Sequence, residues 1–177
     1  ESLATLQKYD VPAEDVTTSS LEALEAYSQG VRRMTTTSDY KSAIPLFERA
    51  ISLDPNFAMA YAKLSVSQSN NGERGPAANN ARTAYGLRQR VSDREKFRIE
   101  FTYEQYVTED VDAVTKVLEA WMEAYPRDDA PPYNLGNAYD VLGEYEKAIP
   151  LKQLSLRLNP DDPNSYWGLF GSYVLLN

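Results

Sequence analysis

The chain contains no cysteine and no histidine. Their absence excludes disulfides, thiol nucleophiles, the common zinc ligands and the side chain most often used as a general base. A protein without thiols suits a reducing or an oxidising compartment equally, so cysteine usage leaves localisation unknown. No apolar run approaches the ~18 residues that cross a bilayer, which argues against a membrane as a partner for this segment. The amino end also lacks the basic and apolar parts of a secretory signal. Positive charge is in deficit, with 18 basic against 26 acidic residues and a net charge of −8. Such a molecule repels polyanions, so nucleic acid and anionic membrane surfaces are excluded in favour of a neutral or basic peptide or protein. No phosphate-cradling glycine loop is present, because Gly72, Gly75 and Gly86 do not precede a lysine at the required spacing. Kinase catalytic signatures are also absent. Neither a cofactor nor a metal site is expected, and the chain reads as a non-enzyme.

What is present is repetition. Three similar helix endings occur at Ala50-Ile-Ser-Leu-Asp-Pro55, Trp121-Met-Glu-Ala-Tyr-Pro126 and Ser155-Leu-Arg-Leu-Asn-Pro160. Pro126 and Pro160 are 34 residues apart, and Pro55 and Pro126 are 71 apart, two periods with a few residues extra. Those extra residues are expected in the turn around Arg88 to Ser92. Proline closes the second helix of each pair, since it donates no backbone hydrogen bond and disfavours helix in the residue before it.

Within the clearest repeat, Tyr133-Asn-Leu-Gly-Asn-Ala-Tyr139 is followed by Gly143, Tyr145, Ala148 and Pro160. This resembles the tetratricopeptide repeat, a helix–turn–helix unit of about 34 residues. Tyr27, Tyr40, Ala43, Phe47 and Ala50 carry the resemblance in a first repeat, and Tyr61, Leu64, Gly72, Ala77 and Ala84 in a second. In a third, Val114, Leu118 and Trp121 stand in the places of the usual small and aromatic residues. The resemblance implies an all-α, right-handed superhelical solenoid of antiparallel helix pairs. Repeats are expected at about 20–56, 57–92, 93–128 and 129–162, with the first helix of a fifth at 163–177. Residues 1–18 read as a linker into the repeats, with a short helix before Asp10. The start at Glu1 and the stop at Asn177 within an apolar pattern suggest a piece of a longer protein.

Helix punctuation follows the same map. Ser19-Ser-Leu-Glu22 and Ser92-Asp-Arg-Glu95 read as capping boxes, and Asp162-Pro163 opens a further helix. Pro45 and Pro150 are expected in a first turn, where the missing amide is not needed. Gly136 and Ala148 are small enough to let antiparallel helices approach closely. The pairs Glu14–Asp15 and Asp128–Asp129 are expected to be solvated loop carboxylates. Arg82, Arg88, Arg90, Arg94, Lys96 and Arg98 read first as a solvated outer face, with reception of an acidic peptide as the alternative.

A repeat stack exposes an extended concave surface. The stripe of first-helix residues not used in pairing gives Tyr103, Tyr106, Tyr133, Asn137, Asp140 and Trp167 as a ligand-binding groove, with aromatics for grip and two polar groups for hydrogen bonds. Covering neighbouring helices is the other role open to them. The lysine, asparagine and arginine set with which some family members hold chaperone tails is not reproduced. A second functional class is self-association, a homodimer through the apolar segment containing Tyr166, Trp167, Leu169, Phe170, Tyr173, Val174, Leu175 and Leu176.

The runs Glu1-Ser-Leu-Ala-Thr-Leu-Gln-Lys-Tyr-Asp10, Thr17 to Tyr27, Asn56-Phe-Ala-Met-Ala-Tyr61 and Tyr125-Pro-Arg-Asp-Asp129 are similar to the repeats attached to bacterial serine/threonine protein kinases. That resemblance implies the non-catalytic arm of a larger signalling protein, cytoplasmic by default and extracytoplasmic if its parent spans a membrane.

Overall fold

The computed structural model describes residues 18–176, and the predicted linker before Thr18 lies outside them. Among the described residues there are nine α-helices and no strand. They are α1 (Leu21–Thr37), α2 (Tyr40–Leu53), α3 (Ala58–Asn70), α4 (Arg74–Leu87), α5 (Asp93–Tyr103), α6 (Val111–Ala124), α7 (Ala130–Val141), α8 (Tyr145–Leu158) and α9 (Pro163–Leu176). This is the all-α, tetratricopeptide-type architecture expected from the repeats. The chain divides into two compact units between Glu109 and Asp110.

Residues of left-handed backbone mark the tight turns. Ser38, Gly72, Glu109 and Gly143 have φ of 50°, 86°, 55° and 75°. They are separated by 34, 37 and 34 residues. The buried stripes on the helices that follow these turns keep the same spacing: Ala43–Phe47–Ala50, Ala77–Ala81–Ala84, Val114–Leu118–Trp121 and Ala148–Lys152–Ser155. Each stripe places residues at i, i+4 and i+7, one face of a helix.

In the first unit, the Tyr27 ring contacts those of Phe47 and Phe57, with centroids 5.8 and 4.8 Å away. Phe47 presses so closely on Gly30 that a Cβ there would stand 2.7 Å from the ring. In the second unit, a Cβ on Gly136 would lie 3.2 Å from the Ala148 carbonyl, the close approach read from these two small residues.

Several expectations need correction. The extra residues fall mostly inside a helix, ahead of Glu109. There the chain makes a π turn over Glu104–Thr108, with the Glu109 amide bonded to the Glu104 carbonyl at 2.9 Å. The segment Arg88–Arg90 adds only a short 3-10 turn. Ser20, not Ser19, caps α1 by accepting from the Ala23 amide, so Glu22 falls one position short of a capping box. Ser92 and Glu95 do form a complete one. Pro45 and Pro150 each sit at the sixth helical position, in the second turn rather than the first. Both are exposed, so the carbonyl that loses its helical donor can turn to water.

Candidate functional site

The six groove residues fall in both units. In the first, Tyr103 ends α5 and stacks on Tyr85 with centroids 4.1 Å apart. The Arg88 guanidinium lies 3.6 Å from the Tyr85 centroid. Tyr106 belongs to the π turn and is partly buried. Burial lifts its phenol above the ordinary tyrosine value; a hydrogen bond with the Ser69 side chain opposes the shift, and nearby Tyr40 adds to it. Both tyrosines are thus engaged within the fold.

In the second unit, Tyr133 and Asn137 project from α7 and are partly exposed. The Tyr133 ring lies against Gly168, where a Cβ would be only 2.9 Å from it. Trp167 on α9 is 72% exposed and meets Phe170 edge-on at 6.2 Å.

Asp140 has a different environment from that of a free groove carboxylate. It forms an ion pair with Lys152 and accepts from Ser172 Oγ at 2.9 and 3.0 Å. Lys152 is only 1% exposed and also donates to the Gly168 carbonyl at 3.1 Å. The carboxylate is therefore satisfied by α8 and α9. Sequence reading missed Lys152, although one signal was available: a charge on the stripe that carries Phe47, Ala81 and Leu118 in the other repeats.

The paired loop carboxylates also need correction. Asp128 is buried, 5% exposed, and its Oδ1 accepts from the Ala130 amide at 3.1 Å at the start of α7. Asp129 receives Asn159 Nδ2 at 2.9 Å on its carboxylate and Ser155 Oγ at 2.9 Å on its carbonyl. Glu14 and Asp15 lie outside the described residues. Asp162 caps α9, as its position before Pro163 implied, accepting from the Ser165 amide at 3.0 Å.

The basic residues around Arg88 have internal partners. Arg82 donates to Asn79, Arg88 to the Tyr85 carbonyl, Arg90 to Asn56 and Lys96 to Asp93. This favours the outer-face reading over an acidic-peptide site. Among the described residues no three carboxylates converge as a metal site, and no helix is long and apolar enough to cross a membrane.

The tetratricopeptide repeat family model matches residues 35–57 and 133–162. No curated protein matches the sequence. Among solved structures, a thermophilic TPR protein of Thermus thermophilus is 22% identical over 88% of this chain and 83% of its own, with a TM-score of 0.60. A chain of the APC/C hetero-tetramer Cut9–Hcn1 is 15% identical over 85% of this chain and 29% of its own, at 0.56. MamA from Desulfovibrio magneticus RS-1, residue 41 to the end, is 20% identical over 89% and 86%, at 0.50. At these identities the likeness is one of fold. The two matched segments are similar to the tetratricopeptide repeat, and the neighbours share the helical-repeat fold.

Proposed function

We propose that the chain is a protein- or peptide-binding scaffold and that its ligand surface in the second unit includes Tyr133, Asn137 and Trp167. Repeat proteins of this kind act as interaction scaffolds, and the architecture is typically non-catalytic. The observation that carries the reading is the contrast along α7 and α9. Asp140 is consumed by internal contacts, whereas the Asn137 amide makes no hydrogen bond among the described residues and Trp167 stands in solvent. An open amide and an exposed indole suit an extended peptide, the one reading its backbone and the other covering an apolar side chain. Within the first unit, Tyr103 and Tyr106 are candidate ligand contacts in their own right. The net charge of −8 favours a neutral or basic ligand. The resemblance to kinase-attached repeats supports a role as the arm of a bacterial signalling protein.

A peptide array probed with the intact chain tests the scaffold reading. Asn137→Ala with Trp167→Ala is expected to weaken the selected peptide by at least ~2 kcal/mol, a hot-spot magnitude, with circular dichroism unchanged. Undiminished binding by the double variant would move the ligand to another face.

A second reading, self-association, is favoured by α9. Tyr166, Trp167, Phe170, Tyr173 and Val174 are all exposed. At ~150–250 Å² for each whole aromatic side chain, this stripe presents on the order of 500 Å². Sedimentation equilibrium should show a concentration-dependent dimer that Trp167→Ser with Phe170→Ser abolishes.

A further inference from the structure

Helix α9 is amphipathic in the inverted sense. The residues it buries are Ser165 and Ser172, with Gly168 partly buried between them, while its rings point outward. Hydrophobic burial alone would turn the rings toward α7 and α8. We infer that the buried Asp140–Lys152–Ser172 cluster is a registry device that fixes the rotation of α9 against α7 and α8.

The cluster suits this role because its groups come from three helices and satisfy one another. Lys152 from α8 reaches the Asp140 carboxylate of α7 and the Gly168 carbonyl of α9. Ser172 from α9 donates to that carboxylate, and the same hydroxyl lies 3.2 Å from the Gly168 carbonyl. Nearer the start of α9, Ser155 Oγ and Ser165 Oγ are 3.1 Å apart. If α9 rotated to bury its rings, the lysine and the aspartate would lose these α9 partners and face hydrocarbon. Their ion pair would persist, but its remaining hydrogen-bonding capacity would be buried unmet, which is unfavourable. The Tyr133 ring against Gly168 adds a steric barrier, since only a residue without Cβ fits at 2.9 Å. A buried ion pair contributes little net stability over a hydrophobic substitute, but its directional contacts select one arrangement among several of similar burial.

Because the chain has no cysteine, single introduced thiols report orientation cleanly. Phe170→Cys probes the outward face and Ser165→Cys the inward one, each in the native background and in a background carrying Asp140→Leu with Lys152→Met. In the native background a maleimide should label Cys at 170 at least ~100-fold faster than Cys at 165, the contrast expected between a solvated site and one reached only by local opening. In the apolar background, with helicity retained, the ratio should fall at least tenfold. An unchanged ratio in a folded apolar variant would show that packing alone orients α9 and would overturn the inference. Ser172→Ala supplies a milder lesion should the double variant not fold. It should narrow the labelling ratio measurably, and no narrowing would likewise overturn the inference.

Discussion

At the scale of single residues, Lys152 stands in a column otherwise occupied by Phe47, Ala81 and Leu118, and this substitution converts an apolar contact into an ionic one. Lys152→Ala should destabilise the chain by about 3–5 kcal/mol, because it leaves Asp140 without its compensating charge. Urea melts that show a loss below ~1 kcal/mol would mean that the aspartate reaches water. Asp128→Ala should cost about 1 kcal/mol through the lost contact with the Ala130 amide, against under ~0.5 kcal/mol for the exposed Asp161→Ala. Similar melting of the two variants would return Asp128 to the solvated class. Gly136 and Ala148 could be read in advance because their demand is for small size, visible in the residue itself. The roles of Asp128 and Asp140 could not. Two partners of Asp140 lie 12 and 32 residues away, and no local pattern announces them.

At the scale of elements, local signals were legible and geometric ones were not. The capping box of Ser92 and Glu95 is written in four consecutive residues, and Asp162-Pro163 is equally local. The π turn over Glu104–Thr108 uses ordinary helix-compatible residues, so only the 37-residue interval hints at where the excess length went. Tyr106 in that turn has a pH consequence. Its phenol is raised by burial, so the folded state retains the proton where the unfolded chain releases it. The stability associated with the neutral phenol is therefore fully present below the ordinary tyrosine value near ~10 and is lost as pH rises through that value toward the folded one. Denaturant melts should show a stability decline above pH ~10 that Tyr106→Phe makes shallower. An identical slope in the variant would place the hydroxyl in solvent.

At the scale of the whole molecule, the repeat period revealed the helix pairs, whereas the division at Glu109 falls inside the stretch read as the third repeat. Composition adds a constraint on how copies meet. Two molecules of net charge −8 repel, yet α9 contains no charged residue. An association through its aromatic stripe would therefore gain from apolar burial and be opposed by long-range repulsion alone. Added salt shortens the screening length from about 10 Å at 0.1 M toward about 3 Å at 1 M and removes that opposition. The proposed dimer should consequently tighten as sodium chloride rises from low to high concentration, while Trp167→Ser with Phe170→Ser stays monomeric throughout. A contact built on ion pairs behaves in the opposite way, because salt screens the attraction itself. Sedimentation equilibrium across the salt range separates the two: a dimer that weakens with salt would assign association to charged surfaces elsewhere on the molecule, and a dimer unaffected by the two serines would remove α9 from the interface.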